Sequence, residues 1–244
     1  MIELTNIAAP EALLHPLVQV RACRFHYDGN GVTDGVSAPA GTDVPILPES
    51  MTRAVAKRQA EFLAGRLAAS AALRSLGASG HVPVGEDRSP QWPAGIVGSI
   101  SHTDRLAIAV VARATQCAGL GIDIEPVMDS DTVRNLQHMI ARPEELALQP
   151  KSLSLPQFLT LLFSAKEALY KAVFPRLQQV LEFHDARLLG VRDNTLQLAL
   201  CSNDLPGWAR QPFNVSSCLT DGLGFSWCYQ LTPSMDHEVN TCLI

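Results

Sequence analysis

The run Gly121-Ile122-Asp123-Ile124-Glu125 alternates strictly in character. In an extended strand Asp123 and Glu125 share one face and the isoleucines the other. Their Cα atoms are then roughly 6–7 Å apart, from the rise per residue. Two acidic side chains on one strand face repel, and a hard cation between them would relieve that repulsion. Magnesium suits such a pair, because it takes one or two carboxylates, several waters and the phosphates of a substrate. The D-x-E pattern is common, however, and taken alone it more often marks an amphipathic strand with its polar face in water.

A second set of charged residues lies in Phe163-Ser164-Ala165-Lys166-Glu167-Ala168-Leu169-Tyr170-Lys171-Ala172. Phe158, Leu159, Leu162, Leu169 and Val173 define the apolar arc of a helix. Glu167 and Lys171 stand together on another side, four residues apart. By itself that is a surface ion pair contributing ~0.3–0.5 kcal/mol. Lys166 points into the middle of the apolar arc, where an ammonium must reach water, lose its charge or find an anion. Glu167 would suit a general base if a metal and a nucleophile lay within reach.

Two arginines are also misplaced. At 100° per residue, Val55, Phe62, Leu63, Leu67, Leu73 and Leu76 fall in one half of a helical wheel. Arg53, Lys57 and Glu61 take the other half, as a solvated face should. Arg58 and Arg66 lie inside the apolar half, roughly 12 Å apart along the axis. Either their stems pack on the core edge with the heads in water, or a bound anion receives both guanidinium groups. The stretch Trp92 to Thr103 ends in Gly98-Ser99-Ile100-Ser101-His102-Thr103, a cluster of small hydrogen-bonding groups that suits a phosphate or a nucleotide sugar. It lacks the GK[ST] ending of a Walker loop and the final glycine of a nucleophile elbow. Gly119-x-Gly121 lacks the third glycine of a dinucleotide fingerprint. Taken singly, the stretch is more often a plain strand entry.

The elements that must position these groups follow from periodicity and breakers. Residues 1–50 are rich in Gly, Pro and Asp, with one strand expected at Leu17–Phe25. A helix is expected over Arg53–Leu76, stopped by Gly77. A Gly/Pro-rich connection containing Arg88 leads to strands at Gly98–Ser101, Leu106–Ala112 and Leu120–Glu125. A crossover spans Val127 to Lys151. A second helix is expected to begin near Ser154–Pro156 and to end at Phe174-Pro175, since the residue before proline resists helical geometry. Strands are expected at Ala186–Val191, Thr195–Cys201, Asn214–Leu219 and Phe225–Leu231. Each half reads as a long helix and several strands, an α+β pattern with a loose duplication.

The 244 residues are 47% hydrophobic and 18% charged, which implies a globular chain with a sizeable core. A net charge of −5 excludes nucleic-acid binding by charge alone, so any basic site is a local cluster. Cys23, Cys117, Cys201, Cys218, Cys228 and Cys242 form no CxxC pair and no zinc spacing, and read as reduced thiols in a cytosolic protein. The N-terminus lacks the features of a signal peptide, and Leu106 to Ala112 is far short of the ~20 residues of a membrane span. A cytoplasmic protein is expected, with no membrane partner.

Four strings together resemble the 4′-phosphopantetheinyl transferase family, in its large monomeric surfactin/enterobactin-type class. They are KRQAEFLAGRLAA (Lys57–Ala69), RSPQWPAGIVGSISHT (Arg88–Thr103), GIDIEP (Gly121–Pro126) and FSAKEALYKA (Phe163–Ala172), in the family's order and near its spacing. Phe163 stands where many large-class members have tryptophan, and matches the enterobactin-type subgroup. The resemblance implies an α+β pseudo-dimer of two similar halves, residues 1–126 and 127–244. Each is a long helix on a small antiparallel sheet, with the active site in the cleft between them. It implies that Asp123 and Glu125 hold Mg2+ on the pyrophosphate of coenzyme A. Glu167 completes the metal site, acts as base on a carrier serine, or does both. Lys171, with Lys166, would neutralise the pyrophosphate and the departing adenosine bisphosphate. Arg58, Arg66 and Arg88 would grip the 3′-phosphate end, and Ser101 and His102 would contact phosphate and adenosine. The expected partners are coenzyme A and an apo acyl, peptidyl or aryl carrier protein, serving siderophore or fatty-acid synthesis, and the enzyme is expected to be a monomer.

The chemistry is consistent with this set. A carrier serine is a poor nucleophile at neutral pH and needs a base, while the anionic pyrophosphate repels an attacking oxygen until cations screen it. Two other readings stand beside the transferase: a module that binds coenzyme A or carrier proteins without turnover, and a metal-dependent phosphoester hydrolase. The intact Asp123, Glu125 and Glu167 argue against the first, and the scarcity of clustered Asp/His ligands against the second.

Overall fold

The computed structural model describes residues 2–5, 15–27, 36–37, 43, 45–202 and 204–232; Cys242 and the chain after Thr232 lie outside them. The chain divides into two units: one runs to Ala118 and resumes at Leu231, and the other covers Gly119–Gln230.

In the first unit, strands β1 (Ile2–Thr5), β2 (Gln19–Phe25) and β3 (Val36–Ser37) precede helix α1 (Ala56–Ser75), and β4 (Ile96–His102) and β5 (Leu106–Arg113) follow it. They form one sheet in the order β3-β1-β2-β5-β4, antiparallel except for the β1/β3 pair. β5 lies inside the sheet between β2 and β4, is apolar, and is buried on both faces up to Arg113. α1 covers one face of this sheet. Its alanines at 60, 64 and 68 let the backbone approach, and Leu67 and Leu73 pack against Ala107, Ala109 and Val111 of β5 and Phe25 of β2. Each leucine so buried contributes about 1.5–3 kcal/mol. The helix starts later than its periodicity suggests. Val55 is extended (ψ 150°), serves as N-cap and is 73% exposed rather than part of the core.

The second unit takes most of β6 (Cys117–Pro126), then α2 (Ser130–Ile140), the single turn α3 (Pro143–Leu146) and α4 (Leu155–Leu177). Strands β7 (Ala186–Arg192), β8 (Thr195–Leu200), β9 (Phe213–Thr220) and β10 (Leu223–Leu231) complete it. The sheet order is β6-β10-β9-β8-β7, with β7/β8, β8/β9 and β9/β10 antiparallel. α4 packs its expected arc, Phe158, Leu159, Leu162, Leu169 and Val173, against Leu196, Leu198 and Val215 of the sheet and Val133 and Ile140 of α2.

Two findings here differ from expectation. The stretch read as a crossover contains α2, capped by the Asp129 carboxylate, which accepts from the Thr132 N–H at 2.7 Å. α4 also does not end before Pro175 but runs through it to Leu177. A proline near a helix end removes one internal hydrogen bond. The left-handed Gln178 (φ 53°) then closes the last turn, its N–H donating to Phe174 O at 2.8 Å. The two long helices on small sheets match the α+β architecture expected from the sequence. Among the described residues no helix is long and apolar enough to cross a membrane, and Cys23, Cys117, Cys201, Cys218 and Cys228 form no disulfide with one another.

Candidate active site

In the second unit the site is built by laying α4 directly on β6. A Cβ added at Gly121 would collide with Ala168 O and lie 2.8 Å from Ala172 N, so no side chain fits at that position. The close approach brings Lys171 across to Asp123. Its Nζ donates to Asp123 Oδ1 at 2.6 Å and to Ile122 O at 3.2 Å. Thus Lys171 reaches over to β6 and does not simply pair with Glu167 along the helix surface.

Glu125 and Glu167 sit close enough to feel the same charges. Burial and then the Asp123 carboxylate push Glu125 up to about 7, with Lys171 opposing. Burial also raises Glu167, Lys171 lowers it, and Asp123 raises it again. Among the described residues no group of three His, Cys, Asp or Glu side chains is already arranged as a metal cage. The donor set nevertheless fits magnesium. Three neighbouring carboxylates outnumber the one lysine among them, and a hard cation completed by water and phosphate oxygens is what such an excess of charge accepts.

The raised Glu125 makes a prediction for the metal-free protein. From about pH 4.5 to about pH 7 the unfolded chain has released this proton and the folded chain retains it. The group's contribution is therefore fully present below about pH 4.5 and is lost as pH rises to about 7. In chelator, melting temperature should fall across this window in the native protein. Glu125→Gln should flatten that part of the profile, and an unchanged profile would contradict the shift.

Lys166, expected beside Lys171 at the pyrophosphate, lines the same cavity as Glu167 but turns its ammonium to other partners. Its side chain is 2% exposed, and its ammonium donates to Ile140 O at 2.8 Å, Phe183 O at 3.0 Å and Glu145 Oε1 at 2.9 Å. Burial pulls this lysine below its usual range, and the Glu145 hydrogen bond opposes the shift. Glu145, fully buried, also accepts from the Arg142 and Leu188 N–H groups, each at 2.8 Å. The sequence flagged the misfit lysine but missed its partner. A cavity of about 280 Å³ opens beside Glu167, walled by Tyr170, Val180, Leu181 and Phe183.

The first unit carries the other candidates. A groove of about 530 Å³ is lined by Phe62, Arg66, Ser70, His81 and Arg88. Arg66 lies over the Phe62 ring at 4.8 Å, and its buried Nε makes no hydrogen bond. Burial, and then the nearby Arg58, lower Arg66 to about 10, so it stays cationic at neutral pH. Arg88 is held left-handed (φ 66°) in a loop closed by Gly85 N–H to Ser89 O at 2.8 Å and pinned by the Asp87 carboxylate, which accepts from Ser89 Oγ at 2.7 Å. Ser101 and His102 end β4, where Thr103 Oγ1 accepts the Leu106 N–H at 3.1 Å and fixes the turn into β5. His102 Nε2 lies 3.1 Å from Arg58 Nη1. Glu61, assigned by the wheel to the solvated half, is instead buried at 8% exposure, against Arg58 and His102. Its spacing to Lys57 and Arg58, four and three residues, was the one sequence signal that could have found it.

Residues 47–112 match the family model "4′-phosphopantetheinyl transferase N-terminal domain", and residues 119–223 match "4′-phosphopantetheinyl transferase superfamily". Over 163 residues the chain is 37% identical to 4′-phosphopantetheinyl transferase PptT of Mycobacterium tuberculosis (strain ATCC 25618 / H37Rv), covering 64% of this chain and 69% of that protein. The chain belongs to the 4′-phosphopantetheinyl transferase superfamily. It is also 45% identical over 122 residues to enterobactin synthase component D of Salmonella typhi, 50% of each chain, and 45% identical over 117 residues to the protein of that name in Escherichia coli (strain K12), 48% of this chain and 55% of the other. The chain thus spans about half the length of these curated relatives. The superfamily match includes Asp123, Glu125, Glu167 and Lys171, and the N-terminal-domain match includes Arg58, Arg66, Arg88, Ser101 and His102.

Proposed function

We propose that this protein is a Mg2+-dependent transferase moving the 4′-phosphopantetheine arm of coenzyme A to a serine of a carrier protein, with release of adenosine 3′,5′-bisphosphate. The observation that carries the reading is the Asp123–Lys171 contact, with Glu125 and Glu167 beside it on β6 and α4. Asp123, Glu125 and Glu167 would hold Mg2+, which when bound screens the pyrophosphate charge. Glu167, its carboxyl raised by burial, takes the proton from the serine hydroxyl. The serine oxygen bonds to the β-phosphorus as the bridging pyrophosphate bond breaks. Lys171 neutralises charge that develops on the leaving side. Arg58, Arg66, Arg88, Ser101 and His102 bind the nucleotide end, and the unbonded Arg66 Nε beside the groove supports an anionic ligand there. The cavity beside Glu167, with apolar walls from Leu169, Val180, Leu181 and Phe183 and polar groups from Lys166 and Glu182, suits a slender, amide-bearing arm such as pantetheine. The name of the Salmonella and Escherichia relatives, enterobactin synthase component D, supports a role in siderophore synthesis; we propose acyl, peptidyl or aryl carriers as substrates and a monomeric cytoplasmic enzyme as the working form.

The test is a mass-shift assay with coenzyme A, Mg2+ and purified apo fatty-acid, peptidyl and aryl carriers. The expected result is a phosphopantetheine adduct on the carrier serine, lost in chelator. Coenzyme A binding with no adduct on any carrier would favour a binding module. Phosphopantetheine release without a carrier would favour a hydrolase.

A further inference from the structure

A buried carboxylate in the midst of groups meant for an anion is a physical contradiction that needs a cause. Glu61 Oε2 lies 3.4 Å from Arg58 Nη1 and 3.9 Å from His102 Nδ1, and Oε1 lies 3.9 Å from Lys57 Nζ. Glu61 has 10% of its side chain exposed, whereas Arg58 has 56% and Lys57 50%. The carboxylate is thus the buried centre and the two cations lie more exposed around it.

The same Arg58 nitrogen approaches His102 Nε2 at 3.1 Å. A guanidinium only donates, so Nε2 accepts, and the imidazole proton sits on Nδ1, the nitrogen facing Glu61. One carboxylate oxygen therefore faces both an arginine from the first turn of α1 and a histidine at the end of β4. Arg58 is also near enough to Arg66 to lower its pKa, so the cluster and the groove-lining arginine act on the same region. Without Glu61, the long cations of α1 would repel one another and spread into water. With it, Arg58 is held against His102 before any ligand arrives, and less ordering is left for binding to impose. Lys57, Arg58 and Glu61 together keep a net positive charge, so the site stays attractive to phosphate.

We propose that Glu61 is a positioning residue that assembles Arg58 and His102 into one phosphate-recognising pair, and that it thereby sets the preference for coenzyme A over its analogue lacking the 3′-phosphate. The inference rests on the reading of coenzyme A as substrate given above. The experiment measures transfer to one apo-carrier from coenzyme A and from 3′-dephospho-coenzyme A, with the native protein, Glu61→Gln and Glu61→Ala, alongside their melting temperatures. The native enzyme should prefer coenzyme A by about tenfold or more in kcat/KM, the scale of a charge-assisted hydrogen bond. Glu61→Ala should raise KM for coenzyme A by about tenfold with little change in kcat, and alter the dephospho substrate by no more than about twofold. Glu61→Gln fills the same volume and still offers Arg58 an acceptor. It should fall between the two, and it carries the test if the alanine variant does not fold. A structural role would slow both substrates alike and leave the preference intact, which would overturn the inference while sparing the substrate reading. A native enzyme with no preference between the two substrates would overturn the 3′-phosphate assignment itself, and the role of Glu61 with it.

Discussion

If Glu167 is the base of the proposed transfer, replacing it by glutamine should slow that reaction by roughly 100- to 10,000-fold, the usual contribution of a general base, while leaving the melting temperature nearly unchanged. The amide is isosteric, so α4 and its packing persist. It can neither take the serine proton nor give a negative charge to a cation. Asp123→Asn should also be severe, because it removes one of the charges proposed to hold Mg2+, beside Lys171 at 2.6 Å. The two variants separate two roles. A site weakened only in metal affinity recovers as Mg2+ is raised, whereas a missing base does not. Asp123→Asn is therefore expected to regain activity at high Mg2+, and Glu167→Gln to remain slow. Full rate in both variants would remove the assignment of the site to these residues.

Most of the core elements could be read in the sequence, because each carries its own period. The α4 arc from Phe158 to Val173 and the apolar run of β5 both bury as their patterns require. Elements whose identity depends on distant partners were not readable. β3 is only Val36–Ser37, and its pairing with β1 is set by a neighbour more than thirty residues away in sequence. α2 did carry a signal in Val133, Leu136 and Ile140 behind the Asp129 cap, masked by the polar residues between them. Pro175 misled in the opposite direction, since a proline near a helix end loses little when Gln178 can close the turn.

The site divides along the same physical line. Local pattern identified Asp123 and Glu125 as neighbours on one strand face, and it marked Lys166 as a charge in the wrong place. It could not say that Gly121 exists to admit α4, because that reason lies in the Ala168 carbonyl some fifty residues on. A helical wheel likewise assigns Glu61 to water, because the wheel knows only its own helix. The end of β4 brings His102 over that carboxylate and takes it out of solvent.

Lys166 and Glu145 give the largest expected effect on stability. Lys166→Met should destabilise the protein by about 3–5 kcal/mol, the typical cost of stranding one member of a buried ion pair. The group left stranded is the fully buried Glu145 carboxylate, which keeps only the Arg142 and Leu188 N–H donors. Adding Glu145→Gln should recover part of the loss, because no buried charge then remains and the amide oxygen still accepts from a backbone N–H. Denaturant midpoints of the two single variants and the double would show the coupling, and a Lys166→Met variant within about 1 kcal/mol of native would refute it. The same series decides what this lysine does. If it anchors Ile140, Phe183 and Glu145 around α4, activity lost in Lys166→Met should track stability and return at lower temperature or in the double variant. If it acted directly on the pyrophosphate, the rate would stay low in the double variant however stable the fold. The three hydrogen bonds already made by its ammonium favour the first outcome. They leave Lys171 as the lysine of α4 that faces the carboxylates.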